Sequence, residues 1–365
     1  MGFNCGIVGL PNVGKSTLFN ALTAAAAEAA NYPFCTIDPN VGRVRVPDSR
    51  LDEIANLTGS VSVVPTSLEF IDIAGLVRGA STGEGLGNQF LGHIREVDAI
   101  AHVVRCFGPN EISHGNGEID PVSDAKIVET ELMLADLDSI ERRRDVLTKK
   151  GQRGDEDADA LLDVISMAEA VLEKGLPIRS MSLDARMSKL LASLGLLSAK
   201  PVMYVCNVDE ASVTEGNSYS HALGSYAKSQ NAACLVASAR IEAEIATIEE
   251  ENERSAFLET LGLRESGLAR VIRSGYSLLA LITFFTAGPK EARAWTLRRG
   301  CSALEAAAKI HTDFARGFIR AEIISYADYT SLGGEIGARE AGRSRQEGRE
   351  YLVRDGDVIL FRFNV

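Results

Sequence analysis

Residues 9–16 read GLPNVGKS, and this short stretch constrains the fold more than any other part of the 365-residue chain. An apolar run at residues 3–8 precedes it and a helical pattern follows it. The spacing GxxxxGKS/T is that of a phosphate-binding loop. In such a loop, glycines let backbone N–H groups face phosphate oxygens, and the N-terminus of the next helix favours an anion. A strand, a tight loop and a helix are therefore predicted at the start of an α/β domain.

The polar residues of this loop have predicted tasks in binding a nucleotide. Lys15 reaches the β- and γ-phosphate oxygens, which makes it the first catalytic candidate. Ser16 offers its hydroxyl group to Mg²⁺. The residues predicted to contact the nucleotide here form one run: Asn12, Val13, Gly14, Lys15, Ser16 and Thr17.

Two further segments complete a predicted clamp around metal and phosphate. Asp72 lies near the end of an apolar run, where a carboxylate can reach the metal through water, and the amide of Gly75 can contact the γ-phosphate. Thr36, in the loop NYPFCT, is placed to give Mg²⁺ a second hydroxyl group. Loops that close on a γ-phosphate and relax after hydrolysis make a switch. The predicted metal-binding residues are Ser16, Thr36 and Asp72.

Short runs rich in β-branched and aliphatic residues alternate with helical patterns along the chain. Because most of these runs are almost continuously apolar, they are typical of parallel strands covered on both faces. The predicted strands cover residues 3–8, 41–46, 68–73, 99–106, 201–208 and 233–237. Phosphate sites in such sheets lie at the carboxyl ends of the strands.

A helical insertion is predicted at about residues 122–198, where the chain is far longer than one crossover helix requires. Two apolar stripes at helical spacing flank a polar turn at residues 149–155. One stripe holds Met133, Leu137, Ile140 and Leu147, and the other holds Leu161, Ile165, Ala168 and Leu172. Two antiparallel helices would bury these stripes against each other, either as a packing device or as a partner-binding coiled coil.

The C-terminal part, residues 281–365, has a strand-like pattern with one predicted helix at residues 302–311, which fits a small α+β module. It carries 13 Lys and Arg residues against 11 Asp and Glu, whereas the whole chain has a net charge of −12. This part is therefore the better candidate for a nucleic-acid surface. Trp295, with Arg293, Arg298 and Arg299 nearby, is either an RNA-stacking patch or a core tryptophan beside solvated arginines.

The composition is that of an ordinary globular protein, with 45% hydrophobic and 24% charged residues. The six cysteines form no CxxC pair and no cluster with histidine, so neither a zinc site nor a disulfide framework is indicated. The N-terminus does not resemble a secretion signal, and no apolar stretch reaches the roughly 18 residues of a membrane helix. A cytoplasmic protein without a membrane or DNA partner is predicted.

The sequence NVDE at residues 207–210 follows one predicted strand and SAR at residues 238–240 follows the next, so both are expected to frame the base. GTP-binding relatives of this fold carry NKxD at the first position, where the Asp accepts two hydrogen bonds from guanine and the Lys covers the ring. Here Asn207 is kept, Val208 replaces the Lys, and Glu210 replaces the Asp. A pocket that does not satisfy the polar edge of guanine loses discrimination, so weakened guanine recognition is predicted.

Together these motifs resemble the YchF type of Obg-related P-loop proteins, also called Obg-like ATPases. The resemblance spans nearly the whole chain and includes NYPFCTI at 31–37, DIAGLVRGA at 72–80 and GEGLGN at 83–88. It implies a G-protein-like sheet that prefers ATP to GTP, with an OBG-type G domain at residues 1–280 and a β-grasp TGS domain at residues 281–365. It also implies a ribosomal partner, so the predicted function is a Mg²⁺-dependent, ribosome-associated ATPase that acts as a regulatory switch.

Leu76 stands where small G proteins often carry a Gln that orients the attacking water. Leucine has no hydrogen-bonding group, so slow intrinsic turnover is predicted and another group must position the water. Either Asn12 holds a K⁺ ion beside the phosphates, or His114 moves in from a glycine-containing loop as the second catalytic candidate. For His114 the alternative is a loop histidine with only solvent partners. Two rival functions stay open: a GTP-using translation factor, and a nucleotide-gated scaffold with incidental turnover.

Overall fold

The computed structural model describes residues 3–27, 40–74, 86–108, 119–151 and 156–364. The strands are β1 (Asn4–Val8), β2 (Val41–Arg45), β3 (Ser62–Val64), β4 (Ser67–Asp72), β5 (Ala99–Arg105), β6 (Val202–Asn207), β7 (Ala233–Ala237), β8 (Leu281–Ala287), β9 (Glu291–Arg298), β10 (Phe318–Ser325), β11 (Arg345–Glu347) and β12 (Asp357–Phe363). The helices are α1 (Lys15–Ala27), α2 (Ser49–Thr58), α3 (Leu86–Glu96), α4 (Pro121–Gly151), α5 (Glu156–Leu172), α6 (Ala185–Ser193), α7 (Ser218–Ser229), α8 (Ala239–Ile245), α9 (Glu251–Thr260), α10 (Gly267–Leu278), α11 (Ala303–Ile310), α12 (Thr312–Arg316), α13 (Tyr326–Ser331) and α14 (Glu335–Glu340). The chain forms two compact units: the first comprises Met1–Gly42 and Glu69–Val271, and the second comprises Arg43–Leu68 and Ile272–Val365.

The first sheet has the strand order β2-β4-β1-β5-β6-β7. Within it, β1 pairs in parallel with β4 and β5, and β6 pairs in parallel with β5 and β7. Strands β5 and β6 are buried along their whole lengths, which is why their sequences are almost continuously apolar. Each strand of this sheet was predicted from the sequence, and those predictions are confirmed. The parallel strands bring the carboxyl ends of β1, β4, β5, β6 and β7 to one edge.

Between β5 and β6 the chain forms α4, α5 and α6, which confirms the predicted helical insertion. Helix α4 begins at Pro121. Proline lacks a backbone N–H, and at the first position of a helix that N–H would have no partner within the helix. The carboxylate of Asp120 caps it by accepting hydrogen bonds from the N–H groups of Val122 and Ser123 at 3.1 and 3.0 Å. Both predicted apolar stripes belong to one hydrophobic cluster, so α4 and α5 bury them against each other. No helix within the described ranges is both long and apolar enough to cross a membrane.

A buried polar network joins α4 to the first sheet. Glu129 accepts hydrogen bonds from the hydroxyl groups of Tyr204 and Tyr226 and forms an ion pair with Arg179. Burial alone would raise the pKa of Glu129, but the charge of Arg179 and the two tyrosine hydroxyls outweigh it and hold that pKa below its usual value. Burial lowers the pKa of the neighbouring His102 to about 4, so its imidazole is neutral at pH 7. The network therefore fixes the helical insertion to β5 and β6.

Replacing Glu129 with Ala is expected to lower the free energy of unfolding by about 3 kcal/mol, because Arg179 would keep a buried charge without its partner. Urea denaturation at pH 7 measures this loss. Because the folded-state pKa of Glu129 is lowered, its contribution is complete above the ordinary Glu pKa and is lost as the pH falls through the folded value. The control Glu141→Ala, on the exposed face of α4, should change stability by less than about 0.5 kcal/mol. Equal losses in the two variants would contradict this role.

The second sheet has the strand order β11-β10-β12-β8-β9-β3. One face packs around Phe284 and Phe361 beneath α11, and the other packs around Phe285 and Tyr329 beneath α2 and α13. This arrangement confirms the predicted α+β module. The prediction of a single helix in residues 281–365 is wrong, because α11 to α14 all lie there. Helices α13 and α14 have only six residues each, too few to show a helical apolar period.

The division into compact units differs from the predicted boundary after residue 280, because Arg43–Leu68 groups with the C-terminal part. In this segment, Ile54 of α2 is fully buried in the cluster around β8 and β12, and β3 pairs in parallel with β9. The guanidinium group of Arg50 also bonds the carboxylate of Asp355 at 2.7 Å. These partners are distant in the sequence, so local patterns do not reveal them. The OBG-type and TGS domain assignments stay predictions.

Trp295 is half-buried in the second unit. Its ring stacks on Phe284 with 6.3 Å between centroids, and its Nε1–H donates to the hydroxyl group of Thr286 at 2.9 Å. The guanidinium group of Arg293 lies 4.3 Å from the centroid of the same ring. The ring is therefore packed into the module as the core alternative describes, and an RNA contact at this position stays a prediction.

Candidate nucleotide site

The phosphate loop turns between β1 and α1 at the carboxyl edge of the first sheet. A Cβ atom on Gly9 would lie 2.6 Å from the carbonyl oxygen of Val103 on β5, so the close approach requires glycine. Asn12 and Gly14 have φ angles of 61° and 88°, in the left-handed region that glycine adopts without strain. The N–H of Leu18 donates to the carbonyl of Gly14 at 3.0 Å, so α1 starts directly from the loop.

Asn207, at the end of β6, joins the phosphate loop to the loop after β7. Its Nδ2 donates to the carbonyl of Val13 at 2.9 Å, and its Oδ1 accepts from the N–H of Ala239 at 2.9 Å. The side chain is 6% exposed, and that of Val13 is packed in the core. Only the backbone of Val13 is thus available to a phosphate. The sequence assigned Asn207 to base contact alone, whereas its amide group also holds two loops of the site together.

Lys15 and Asp72 meet at the centre of the site. The ammonium group of Lys15 contacts the carboxylate Oδ1 of Asp72 directly, and the two side chains are 10% and 18% exposed. Lys15 opens α1 and Asp72 ends β4, so the parallel pairing of β1 with β4 brings them together. The N–H of Asp72 donates to the carbonyl of Asn40 at 2.9 Å, which fixes the backbone there. The structure therefore unites the lysine and the carboxylate of the predicted clamp.

A single cavity of about 1200 Å³ connects the phosphate loop with the loops that follow β4, β5, β6 and β7. Most of the predicted site residues line it: Asn12, Gly14, Lys15, Ser16, Thr17, Asp72, Asn207, Val208 and Glu210. In small-molecule sites a few polar groups converge among apolar walls, and the cavity has this composition. Its position at the carboxyl ends of parallel strands is where such sheets bind phosphates.

The far end of the cavity lies between the loops after β6 and β7. Val208 is 3% exposed, and its N–H donates to the carbonyl of Ala237 at 2.9 Å, so position 208 does not supply a cationic side chain to cover a base. Glu210 turns towards the cavity and forms an ion pair with Arg240, with 2.7 Å between Oε1 and Nε. Both predicted base-framing segments thus meet at one place.

Three predicted site residues, Thr36, Gly75 and His114, lie outside the described residues, and their roles stay predictions. The residues that line the cavity and that sequence reasoning missed include Arg105 and Phe107. The guanidinium group of Arg105 lies 4.7 Å from the ring centroid of Phe107. In the sequence, Arg105 could have been noticed as an arginine at the end of an otherwise apolar strand.

The residues present fit a magnesium ion held jointly with phosphates. Ser16 and Asp72 line the same cavity and offer a hydroxyl group and a carboxylate, the oxygen ligands that Mg²⁺ prefers. Among the described residues, no group of three or more His, Cys, Asp or Glu side chains could form a metal site by itself. Mg²⁺ commonly needs only one or two protein groups, because phosphates and water supply the rest.

The loop geometry, the Lys15–Asp72 contact and the parallel sheet define a P-loop nucleoside triphosphatase. A family model described as a 50S ribosome-binding GTPase matches residues 4–132, and the YchF GTPase C-terminal model, described as a protein of unknown function, matches residues 281–364. The chain is 55% identical to the ribosome-binding ATPase YchF of Haemophilus ducreyi and 52% identical to that of Bacillus subtilis, and both alignments cover all of both chains. This chain belongs to the YchF family, as its motifs predicted.

Solved structures agree with this assignment. The structure of the Schizosaccharomyces pombe YchF GTPase matches with a TM-score of 0.90 and 37% identity, covering 99% of this chain and 98% of that one. A GTP-binding protein from Pyrococcus horikoshii matches with a TM-score of 0.63 and 18% identity, which shows the fold alone. The predicted fold class, a P-loop G-protein-like sheet with a helical insertion and a small C-terminal module, is confirmed.

Proposed function

We propose that this protein hydrolyses ATP to ADP and phosphate in the cavity of the first unit and acts as a nucleotide-dependent switch on the ribosome. The contact between Lys15 and Asp72 carries this proposal. It puts the cation that stabilises developing phosphate charge beside the carboxylate that would hold Mg²⁺, in the cavity that also contains Ser16. Mg²⁺, when bound, would neutralise charge on the β- and γ-phosphates.

The remaining roles extend this proposal to the rest of the site. Thr36 would add a metal-binding hydroxyl group and Gly75 an amide to the γ-phosphate. His114 would position the attacking water, or Asn12 would hold a K⁺ ion that does so. Asn12 lines the cavity within the phosphate loop, which supports this role.

The ribosome is the proposed partner. Relatives with 52–55% identity over the full chain are named ribosome-binding ATPases, and one matching family model is described as ribosome-binding. The C-terminal part and the helical insertion are the proposed contact regions, and the cytoplasm, where ribosomes work, is the proposed location. A membrane or DNA partner is not proposed.

GTP is the rival nucleotide, because the similar protein from Schizosaccharomyces pombe is named a GTPase. The side chains at the base end favour ATP: Val208 offers no cation, and the carboxylate of Glu210 is already paired with Arg240. A scaffold function would instead leave turnover incidental to nucleotide binding.

Steady-state phosphate release tests the proposal directly. We expect Mg²⁺-dependent turnover of ATP that exceeds turnover of GTP at equal concentration and rises when ribosomes are added. Chelation of Mg²⁺ by EDTA should abolish it. Faster turnover of GTP would favour the rival enzyme, and turnover that stays flat at saturating ribosome, with binding intact, would favour the scaffold.

A further inference from the structure

Two side chains from neighbouring loops form an ion pair at the base end of the cavity. Glu210 follows β6, and Arg240 lies in the first turn of α8, directly after β7. The Nε of Arg240 lies 2.7 Å from Oε1 of Glu210 as an ion pair, whereas Glu244 lies farther away, at 3.6 Å from the same nitrogen. Both Glu210 and Arg240 line the cavity. The pairing of β6 with β7 puts the two loops side by side.

The loops that carry this pair are held rigidly by the same sheet edge. Asn207 bonds the N–H of Ala239, the residue before Arg240, and the N–H of Val208 bonds the carbonyl of Ala237. Asp209 accepts a hydrogen bond from the N–H of Ser212 at 3.0 Å, which fixes the turn around Glu210. The fold itself therefore positions the backbones on both sides of the ion pair.

We infer that Arg240 is a specificity-determining residue, which holds the Glu210 carboxylate and so disfavours guanine in this pocket. The inference rests on the proposed function, in which a nucleotide base lies between these two loops. Guanine presents two adjacent N–H donors, at N1 and at the exocyclic amino group, which call for a carboxylate with both oxygens available. Arg240 holds one of these oxygens, so a guanine donor that faces it has to share it with the guanidinium group, and a poorly satisfied polar group costs affinity.

Adenine makes a smaller demand on the same carboxylate. It presents one exocyclic amino group, for which the second oxygen of Glu210 suffices, and ring nitrogens that accept hydrogen bonds. The Nε of Arg240 lies 2.7 Å from Glu210, and a guanidinium group has five N–H donors in all. The pair therefore offers one acceptor and further donors, which suits adenine better than guanine.

Removing this ion pair should change nucleotide binding without unfolding the protein. The side chains of Arg240 and Glu210 are 78% and 47% exposed, so their attraction is screened and contributes little to folding. An Arg240→Ala variant is thus expected to fold with an unchanged melting temperature. Any change in its nucleotide preference then reports on the pocket.

The experiment measures Kd for ATP and for GTP by titration calorimetry with the full-length chain and Mg²⁺. In Arg240→Ala we expect the ratio of the GTP Kd to the ATP Kd to fall by about threefold or more, which corresponds to the strength of one exposed ion pair. The same substitution placed in a Glu210→Gln background should leave the ratio unchanged, because no carboxylate remains to be released. The control Glu244→Gln should match the wild type.

The outcomes separate this inference from the proposed function. A wild-type protein that binds neither nucleotide would overturn both. If the wild type binds ATP but Arg240→Ala keeps the wild-type ratio, only the role of Arg240 is overturned. The role is also overturned if the ratio falls equally in the Glu210→Gln background, since Arg240 would then act without the carboxylate.

Discussion

A Lys15→Ala variant is expected to hydrolyse ATP at least about 100-fold more slowly than the wild type. This is the usual effect of removing one group that stabilises the charge developing in the transition state. Lys15 is the only Lys or Arg side chain of the phosphate loop, and its ammonium group lies at the carboxylate of Asp72 in the centre of the cavity. Without it, only the metal and backbone N–H groups would remain to balance the negative charge on the γ-phosphate. Affinity for ATP should fall as well, because the same cation contacts the bound phosphates.

Phosphate release and titration calorimetry with Mg²⁺ and ATP measure both effects. The matched control is Lys189→Ala, which removes an exposed lysine of α6 away from the cavity and should keep wild-type turnover. A melting curve is needed for Lys15→Ala, because Asp72 loses its ion-pair partner. Turnover within a few-fold of wild type in a folded Lys15→Ala protein would show that hydrolysis does not take place in this cavity.

The parts of the fold that were predictable are those encoded by local patterns. Apolar runs identified each strand of the first sheet, and residues such as Ile140 and Ile165 revealed the packed faces of α4 and α5. The phosphate loop was predictable because its chemistry needs a glycine at a fixed spacing from Lys15. Asp72 was predictable because parallel strands bring their carboxyl ends together.

The parts that were not predictable depend on partners distant in the sequence. Strand β3 has three residues and no distinctive pattern, and only its pairing with β9 makes it part of the second sheet. The amide group of Asn207 bridges two loops, a role that depends on where Val13 and Ala239 lie in space. The ion pair of Glu210 with Arg240 joins two motifs that the sequence placed near the base without saying which atoms meet.

Substitution of Gly14 by Ala is expected to reduce ATP affinity by about 100-fold or more, and the reason is geometric. A Cβ atom at this position would lie 2.2 Å from Nδ2 of Asn207, which no real contact allows, and the φ angle of 88° is strained for any residue with a side chain. Either the loop shifts, so that its N–H groups no longer point at the phosphates, or Asn207 releases the carbonyl of Val13. Both responses disorganise the same phosphate site.

Titration calorimetry with ATP and a melting curve distinguish loss of binding from loss of the fold. The melting temperature of Gly14→Ala should fall modestly, because the strain amounts to about 1–3 kcal/mol within a large domain. Gly224→Ala is the matched control, since Gly224 lies inside α7 with no atom near its added Cβ, and a helical alanine is more favourable than glycine by about 0.5–1 kcal/mol. That control should keep wild-type affinity and melt no lower than wild type. If Gly14→Ala binds ATP as tightly as the control does, binding of the nucleotide phosphates does not depend on the backbone conformation of this loop, and the site must lie elsewhere.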